Sequence, residues 1–260
     1  MLKVTSSQNP RLKAARRLKD RRERDRTGLF VIEGYRELSR AKNIELVTLF
    51  ISPTLFLGSN EQALIKSFGN IEIIELTADL FQKLSFRDRP DGLFAIAKQP
   101  SLSMDTLQLS DNPFLLVAEA IEKPGNLGSI LRSCDAAGVD ACIVADRCTD
   151  IYNPNVVRAS VGTLFTVPTY EMSGDDILIW LQRHKIAIVA TTPDATDEFT
   201  KADLTGPVAI TVGTEQLGLS KPWLDAATIK VRIPMMGTAD SLNVASATTL
   251  ALYEVLRQRR

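Results

Sequence analysis

Short apolar runs rich in β-branched residues recur through the second half of this 260-residue chain, and few polar residues alternate within them. Strands of this kind are typical of a parallel sheet that helices cover on both faces. A final helix is predicted over 241–258, where apolar residues recur on one side. We therefore predict an α/β fold, with strands at 114–118, 141–145, 166–170, 186–190, 208–212 and 229–233.

The first half of the chain predicts a smaller α/β domain. Its strand-like runs alternate with helical stretches near 34–42, 60–68 and 78–84, and the runs themselves lie at 29–33, 46–51, 71–76 and 93–97. Before these runs, Asn9-Pro10 begins and Thr27-Gly28 ends a predicted helix over 8–26. We therefore divide the chain into a basic helical arm at 1–27, a small domain at 28–99, a linker at 100–112 and a larger domain at 113–260.

The arm concentrates positive charge in a chain whose formal net charge is zero. Residues 1–26 hold ten Lys or Arg side chains and only three acidic ones, so the rest of the chain is acidic in balance. A basic segment on an acidic body indicates a polyanionic partner. The alternative is a solvated helix without a partner, because basic stretches are common in proteins.

The composition argues against several other classes of protein. Three cysteines without metal-ligand spacing and a single histidine argue against a Cys/His zinc site. Reduced cysteines in a cytosolic protein are the simplest account of these thiols. No run approaches the roughly 18 apolar residues of a membrane span, and no apolar region follows the basic N-terminus as in a signal peptide. We therefore predict a cytoplasmic protein without a membrane segment or a bound metal.

Three segments in the second half, at 126–132, 213–220 and 233–244, each begin soon after a predicted strand. Open α/β sheets bind ligands at the carboxyl ends of their strands, so these segments predict a site. The second segment is not a phosphate-binding P-loop, because Leu219 rather than lysine follows Gly218. The glycine fingerprint of dinucleotide-binding folds is absent as well. Taken singly, each glycine could be an ordinary turn residue.

The residue types of the three segments suit one kind of chemistry when they are taken together. Glycine lets the backbone approach a ligand closely, and Asn and Ser side chains offer directional hydrogen bonds. Arginine offers a bidentate clamp for a phosphate. Such a set fits an adenosine-like cofactor held by its edges and an RNA phosphate held by arginine.

The order and spacing of the segments resemble those of the SpoU (TrmH-like) RNA ribose 2′-O-methyltransferases of the SPOUT superfamily. The family's motif 1 resembles the segment Asn126-x-Gly128-x-x-x-Arg132 of this chain. The family's motif 2 resembles the segment Gly213-x-Glu215-x-x-Gly218-Leu219-Ser220. Motif 3 is similar to Ile233-Pro234-Met235-x-Gly237 with Ser241-Leu242-Asn243-Val244, although members often continue with Ser where this chain has Ala245.

The front of the chain resembles the ribosomal-protein-L30e-like substrate-binding domain that many members carry. The matching segments are Ser7-x-Asn9-Pro10, Gly28-x-Phe30-x-x-Glu33-Gly34 and Arg89-Pro90-Asp91-Gly92-Leu93. The resemblance implies an N-terminal L30e-like domain and a C-terminal SPOUT domain with a trefoil knot. It also implies a homodimer, S-adenosylmethionine as the cofactor, and 2′-O-methylation of RNA, with 23S ribosomal RNA favoured as the substrate.

The resemblance also assigns roles to individual residues. It implies a catalytic set of Asn126, Arg132, Glu215, Ser241 and Asn243. Cofactor contacts are expected from Thr191, Gly213, Ile233 and Leu242. RNA contacts are expected from Arg11, Lys13, Arg16, Arg17, Arg21 and Arg22.

Within the catalytic set, Arg132 is expected to act either as a base or as the anchor of the phosphate next to the target ribose. We favour the anchor, because an arginine pKa above about 12 makes deprotonation costly. Glu215 is expected to hold the motif loops or Arg132 in place. Asn126 and Ser241 are expected to orient the hydroxyl and Arg132, and Asn243 is expected to fix the backbone near the cofactor.

Three alternatives stay open beside this interpretation. The chain could modify transfer RNA instead, or it could be an RNA-binding protein of the same fold without catalysis. It could also methylate a base nitrogen, as other SPOUT branches do, although the Asn-x-Gly-x-x-x-Arg motif belongs to the ribose branch. Digestion of the product to nucleosides would separate ribose from base methylation.

Overall fold

Twelve strands and ten α-helices form in residues 2–260, the part of the chain that the structure, a computed structural model, describes. The strands are β1 (Leu2–Val4), β2 (Leu29–Glu33), β3 (Leu46–Ile51), β4 (Glu72–Leu76), β5 (Leu93–Lys98), β6 (Phe114–Glu119), β7 (Ala141–Ala145), β8 (Thr169–Met172), β9 (Ala187–Thr191), β10 (Asp197–Glu198), β11 (Val208–Val212) and β12 (Ile229–Arg232). The helices are α1 (Pro10–Arg17), α2 (Arg21–Thr27), α3 (Tyr35–Arg40), α4 (Glu61–Ser67), α5 (Ala78–Leu84), α6 (Pro124–Ala137), α7 (Pro154–Ser160), α8 (Gly174–Arg183), α9 (Lys221–Ala226) and α10 (Val244–Gln258).

The chain divides into two units, each with its own sheet. The first unit comprises the chain up to Ser101 together with Asp150–Thr166, and the second comprises Leu102–Thr149 and Val167–Arg260. The prediction instead gave 150–166 to the larger domain. This segment belongs to the first unit because α7 packs on β2, where the rings of Phe30 and Tyr152 lie 4.7 Å apart between centroids.

The second unit is built on a seven-stranded sheet in the order β10-β12-β9-β11-β6-β7-β8, and every neighbouring pair is parallel. Its central strands are buried along their whole length, which explains their unbroken apolar sequences. The predicted α/β fold is therefore confirmed. Strand β8 begins at Thr169 rather than at 166, because Pro168 has no N–H to donate and contributes only its carbonyl, which Cys142 N–H bonds at 2.9 Å.

The first unit is built on a five-stranded sheet in the order β1-β4-β3-β5-β2. Strands β1, β4 and β3 are parallel, and β5 runs antiparallel to both of its neighbours. Aromatic side chains fill the core, with Phe50, Phe81 and Phe94 fully buried. The four strands predicted for this domain at 29–33, 46–51, 71–76 and 93–97 match β2 to β5 to within one residue.

The basic segment at 1–27 is part of this first unit and not a separate arm. Strand β1 pairs with β4, and Leu12, Ala15 and Leu18 are buried in the same core as the sheet. The single helix predicted over 8–26 is wrong, because the chain breaks between α1 and α2. Arg24 stabilises the break, since its Nη1 donates to the carbonyl oxygens of Leu18 and Lys19, both at 2.7 Å.

None of the three cysteines forms a disulfide within residues 2–260. Burial raises the pKa of the Cys134 thiol, with a further contribution from the neighbouring Cys142, so these two side chains serve as apolar packing.

No helix in residues 2–260 combines the length and apolar character needed to cross a bilayer. The described residues also bring together no cluster of three or more His, Cys, Asp or Glu side chains suited to a metal ion.

Candidate functional site

The three predicted motif segments follow β6, β11 and β12 of the parallel sheet. Strand β6 is the direct neighbour of β11, and β9, which ends at Thr191, lies between β11 and β12. Because all four strands run in the same direction, their carboxyl ends meet at one edge of the sheet. The sheet therefore gathers the motif segments as the sequence predicted.

The loop after β11 is closed on itself and depends on glycine. Thr214 and Gly218 exchange two backbone hydrogen bonds, at 3.0 and 3.1 Å, and Gly218 has a φ of +68°. A Cβ atom on Gly213 would lie 2.1 Å from the carbonyl oxygen of Gly218. Any side chain at position 213 would therefore open this loop. Glycine is needed there to close the turn, whether or not the residue also contacts a ligand.

Polar contacts tie the three loops to one another. Lys123, just before α6, forms an ion pair with Glu215 of the second loop. Asn243 Nδ2 donates to Asn126 Oδ1 at 3.2 Å and so joins the third loop to the first. Within residues 2–260, the ion pair of Glu215 is with Lys123 and not with Arg132. Lys123 is a contact that the motif comparison did not single out.

Two polar side chains, the buried Glu119 and the exposed Asn243, hold the ends of these loops. Glu119, at the end of β6, accepts a hydrogen bond from Ser220 N–H at 2.9 Å and so links the first loop to the second. Asn243 caps α10, with its Oδ1 accepting from Ala245 N–H at 3.0 Å. Ala245, the departure in motif 3, is buried and supplies only its backbone to this cap.

A small cavity of about 40 Å³ lies where the first two loops meet, and Asn126, Thr214 and Val244 are among its lining residues. Asn126 Nδ2 is buried and has no hydrogen-bond partner within residues 2–260. Most buried polar groups in proteins are paired, so this free donor marks a place where a ligand would supply an acceptor.

Arg132 extends from α6 into a groove of about 370 Å³ that Ser133, Thr249 and Tyr253 also line. A 2.7 Å hydrogen bond between the hydroxyls of Ser133 on α6 and Thr249 on α10 joins these two helices at the groove. Arg132 is exposed, and no ion pair or side-chain hydrogen bond holds its guanidinium in the described chain. It is therefore free to bind an anion.

Three of the four residues expected to contact the cofactor lie at the carboxyl ends of neighbouring strands, and the fourth, Leu242, lies before α10. Gly213 follows β11, Ile233 follows β12, and Leu242 precedes α10. Thr191 ends β9, and its hydroxyl donates to the Thr211 carbonyl at 2.8 Å, so toward a ligand this hydroxyl can act only as an acceptor. Ser241 is exposed, and no hydrogen bond engages its hydroxyl within the part of the chain described.

The loops also expose large apolar side chains, which is unusual for a surface that contacts only water. Leu217 of the second loop is 88% exposed and Met236 of the third loop is 96% exposed. Apolar groups left open beside polar loops are typical of a site that a ligand or partner covers.

The predicted RNA-binding residues of the first unit fall into two groups. Arg11 pairs with Glu72 at 2.7 Å and Arg21 pairs with Asp25 at 3.5 Å, so both are partly neutralised. The remaining four are exposed and form no ion pair in residues 2–260; they are Lys13, Arg16, Arg17 and Arg22.

Comparison with known proteins agrees with this geometry. Residues 113–253 match the SpoU rRNA Methylase family, and residues 9–95 match the MRM3-like substrate binding domain. The chain belongs to the SpoU rRNA methylase family. A relative, the 23S rRNA (uridine(2479)-2′-O)-methyltransferase of Streptomyces viridochromogenes, is 32% identical over 251 residues, which cover 93% of this chain and 87% of that protein.

Two solved structures extend the likeness to the whole chain. The crystal structure of an RNA 2′-O ribose methyltransferase is 43% identical, with a TM-score of 0.88 and coverage of 99% of each chain. The SpoU methyltransferase AviRb of Streptomyces viridochromogenes, solved in complex with the cofactor AdoMet, is 30% identical, with a TM-score of 0.89 and coverage of 97% of this chain and 98% of that one. Both units of this SpoU family member therefore have counterparts in its relatives.

Proposed function

We propose that this protein transfers a methyl group from S-adenosylmethionine to a ribose 2′-hydroxyl of ribosomal RNA. The observation that carries the proposal is the joining of the three motif loops at one sheet edge, by the Asn243–Asn126 hydrogen bond and the Lys123–Glu215 ion pair. The relatives give the chemistry, because their names state ribose 2′-O-methylation and one was solved with the cofactor.

The residues at the sheet edge fit the cofactor. Gly213 carries no side chain that would keep a ligand from its backbone, and the next residue, Thr214, lines the small cavity beside Asn126. Ile233 and Leu242 add apolar surface at the same edge. S-adenosylmethionine, when bound, supplies a methyl group that is activated by the positive charge of its sulfonium. The trefoil knot that the family resemblance implies stays a prediction.

The protein's own contribution is mainly to position the RNA. Arg132 has a free guanidinium and would anchor the phosphate beside the target ribose. Ser241 and Asn126 would hydrogen-bond the attacking hydroxyl and fix its direction. Glu215 and Asn243 would hold the loops that carry these groups, as their contacts with Lys123 and Asn126 indicate.

The experiment that tests this function combines purified protein, labelled S-adenosylmethionine and total RNA from cells that lack the gene. We expect label in large-subunit ribosomal RNA at a nucleoside methylated on the ribose after digestion. Label in transfer RNA would show that the substrate is transfer RNA and not ribosomal RNA. Label on a base would contradict methylation of the ribose. Cofactor binding without transfer to any RNA would call for assembly intermediates of the ribosome as substrates, and no cofactor binding would favour a non-catalytic RNA-binding protein.

Ribosomal RNA is the favoured substrate for two reasons. The relative with 93% coverage of this chain is named for a position in 23S rRNA, and residues 9–95 match a substrate binding domain. Such a substrate would also place the protein in the cytoplasm, where ribosomes are assembled and used in bacteria. Recognition of a structured RNA depends largely on shape and on unpaired nucleotides in loops and bulges.

The exposed part of the basic segment is expected to supply salt-dependent affinity for RNA. Changing Lys13, Arg16, Arg17 and Arg22 to glutamine should reduce the slope of log Kd against log salt concentration by about 3, because each phosphate contact with a single strand contributes about 0.7. Cofactor affinity should not change. Deleting residues 1–26 is a poorer test, since the deletion removes buried Leu12 and Leu18 from the core.

A matched control for this variant changes four exposed basic residues elsewhere, all lysines that form no ion pair in the described chain. These are Lys66, Lys83, Lys185 and Lys230. Titrations at several salt concentrations should show a smaller slope change for the control. Equal slopes for the wild type and the basic-segment variant would contradict the assignment.

We also propose that the protein is a homodimer that pairs through the face of α6 and α10. On α10, Leu250 is 43% exposed and Tyr253 is 47% exposed, and Tyr253 lines the groove of Arg132. Exposed apolar residues along one helix are typical of an interface, and a twofold pair would bury them together. A dimer of this kind would bring its interface close to Arg132.

Light scattering of Leu250→Glu tests the dimer. The wild type is expected to have the mass of two chains at micromolar concentration, and the variant the mass of one, because a charge would be buried at the interface. Leu102→Glu is the control, since Leu102 is similarly exposed in the same unit but lies outside α6 and α10. A dimeric Leu250→Glu variant would show that this face is not the interface.

A further inference from the structure

A groove of about 550 Å³ opens on the first unit, and none of the residues that line it has a role in the proposed function. Its walls come from α3, from the loop before α4, from the segment before β5 and from α7. We call it the carboxylate groove and define it by Tyr35, Leu57, Glu61, Arg87, Asp91 and Arg158.

This groove concentrates polar atoms that lack partners. Four buried side-chain polar atoms in residues 2–260 have no hydrogen-bond partner, and three of them belong to the carboxylate groove: Glu61 Oε2, Arg87 Nε and Asp91 Oδ1. The fourth is Asn126 Nδ2 in the motif loops. Because unpaired buried polar atoms are rare and costly, their concentration in one groove indicates a ligand that supplies the missing partners.

Backbone amides hold one oxygen of each carboxylate and leave the other unpaired. Glu61 Oε1 accepts from the N–H groups of Leu57 and Gly58 at 3.1 and 2.8 Å, and Asp91 Oδ2 accepts from Tyr35 N–H at 2.7 Å. The second oxygen of each side chain is thus a fixed acceptor shielded from bulk water. Such shielding strengthens a hydrogen bond once a donor reaches the oxygen. Side chains at the rim of a site commonly change rotamer when a ligand binds, which would give the donor access.

The remaining groups of the groove suit a nucleotide backbone. Arg87 is paired with Glu37 at 2.6 Å, whereas Arg36, Arg89 and Arg158 are exposed and have no acidic partner in the described chain. Guanidinium groups bind phosphates, and their planar faces also stack on bases. Leu57 is 82% exposed at the rim and offers apolar surface to a base.

We propose that the carboxylate groove binds an unpaired guanine nucleotide of the substrate RNA. Guanine presents two adjacent N–H donors, at N1 and N2, and the unpaired oxygens of the two carboxylates, Asp91 Oδ1 and Glu61 Oε2, are acceptors that suit them. Adenine presents an unprotonated N1 at the same place, which a carboxylate repels. Asp91 and Glu61 would accept from the base, and Arg36, Arg89 and Arg158 would hold the flanking phosphates. The proposal rests on the proposed function, because it takes the methylated RNA as the source of the nucleotide.

The test measures binding of the full-length protein to labelled pentanucleotides UUGUU and UUAUU by fluorescence anisotropy. The wild type should bind UUGUU about tenfold more tightly or better, as is usual for a base read by a paired hydrogen bond. Asp91→Asn should remove this preference, since an amide N–H would face the donors of guanine, and affinity for UUAUU should change little. A variant with Arg36, Arg89 and Arg158 changed to glutamine should weaken binding to both oligonucleotides.

Asp79→Asn is the matched control, because Asp79 is an exposed carboxylate on α5 outside the groove. Equal affinity of the wild type for the two oligonucleotides would overturn the proposal, as would an unchanged preference in Asp91→Asn. The arginine variant alters exposed side chains only, so its loss of binding is not a folding defect. Methyl transfer to ribosomal RNA is measured separately: transfer without a guanine preference refutes only the groove, and a preference without transfer refutes only the proposed function.

Discussion

Replacing Arg132 with alanine is expected to lower the rate of methyl transfer by about 10²–10³-fold, the usual cost of removing one group that stabilises the transition state electrostatically. Affinity for S-adenosylmethionine should stay within a few-fold. The reason is that Arg132 extends into the groove beside α10 with no ion pair or side-chain hydrogen bond in residues 2–260, so its guanidinium is free for the RNA. Single-turnover transfer and calorimetric cofactor binding measure the two quantities.

Arg132→Lys separates the two roles that the sequence left open for this residue. A phosphate anchor keeps its charge in this variant but loses the bidentate geometry, so part of the activity should remain with an unchanged pH profile. A proton-accepting role predicts instead a rate that rises toward the lysine pKa of about 10.4. Arg183→Ala, at an exposed site on α8, is the control. Full turnover in Arg132→Ala would remove Arg132 from the mechanism.

Six of the seven strands in the sheet of the second unit could be predicted because their signal is local, whereas the two-residue strand β10, with its acidic sequence, could not. Runs such as 141–145 and 208–212 are buried on both faces, so every position favours an apolar residue and the bounds follow from the sequence. The candidate site followed from the same signal, since the carboxyl ends of parallel strands meet at one edge. The motif resemblance then supplied the roles of residues that burial alone does not distinguish.

Features that depend on distant parts of the chain could not be predicted in this way. The break between α1 and α2 depends on Arg24, whose partner Asp150 lies 126 residues away in sequence. The assignment of 150–166 to the first unit depends on contacts of α7 with β2. The residues that define the carboxylate groove come from positions 35 to 158, and only the folded chain leaves one oxygen of Glu61 and one of Asp91 buried without a partner.

Arg24 shows how a basic residue of the first segment serves stability and not RNA binding. Its side chain is 1% exposed, and Nη2 donates to Asp150 Oδ2 at 2.7 Å while Nε donates to Oδ1 at 3.3 Å. Nη1 bonds two carbonyls at the end of α1 as well. One guanidinium thus pairs with a buried carboxylate and also bonds the backbone carbonyls at the break between α1 and α2. Counting Arg24 with the exposed basic residues overstates the charge that RNA can reach.

Arg24→Ala is therefore expected to lower the free energy of unfolding by about 3–5 kcal/mol, because it leaves the Asp150 carboxylate buried without a partner. Urea unfolding followed by circular dichroism measures the loss. The two tryptophans, Trp180 and Trp223, both lie in the second unit, so their fluorescence reports on that unit separately. Replacing both partners, as in Arg24→Met with Asp150→Leu, should be less damaging than Arg24→Met alone, since no charge then stays unpaired.

Arg26→Ala is the matched control for this experiment. Arg26 belongs to the same helix and also contacts an acidic side chain, with Nη2 donating to Glu23 Oε1 at 2.7 Å, but this pair is exposed to solvent. Water screens exposed ion pairs, so the unfolding curve of Arg26→Ala should nearly overlay that of the wild type. If Arg24→Ala were as stable as Arg26→Ala, the buried pair would not be what holds α1, α2 and the 150–166 segment together.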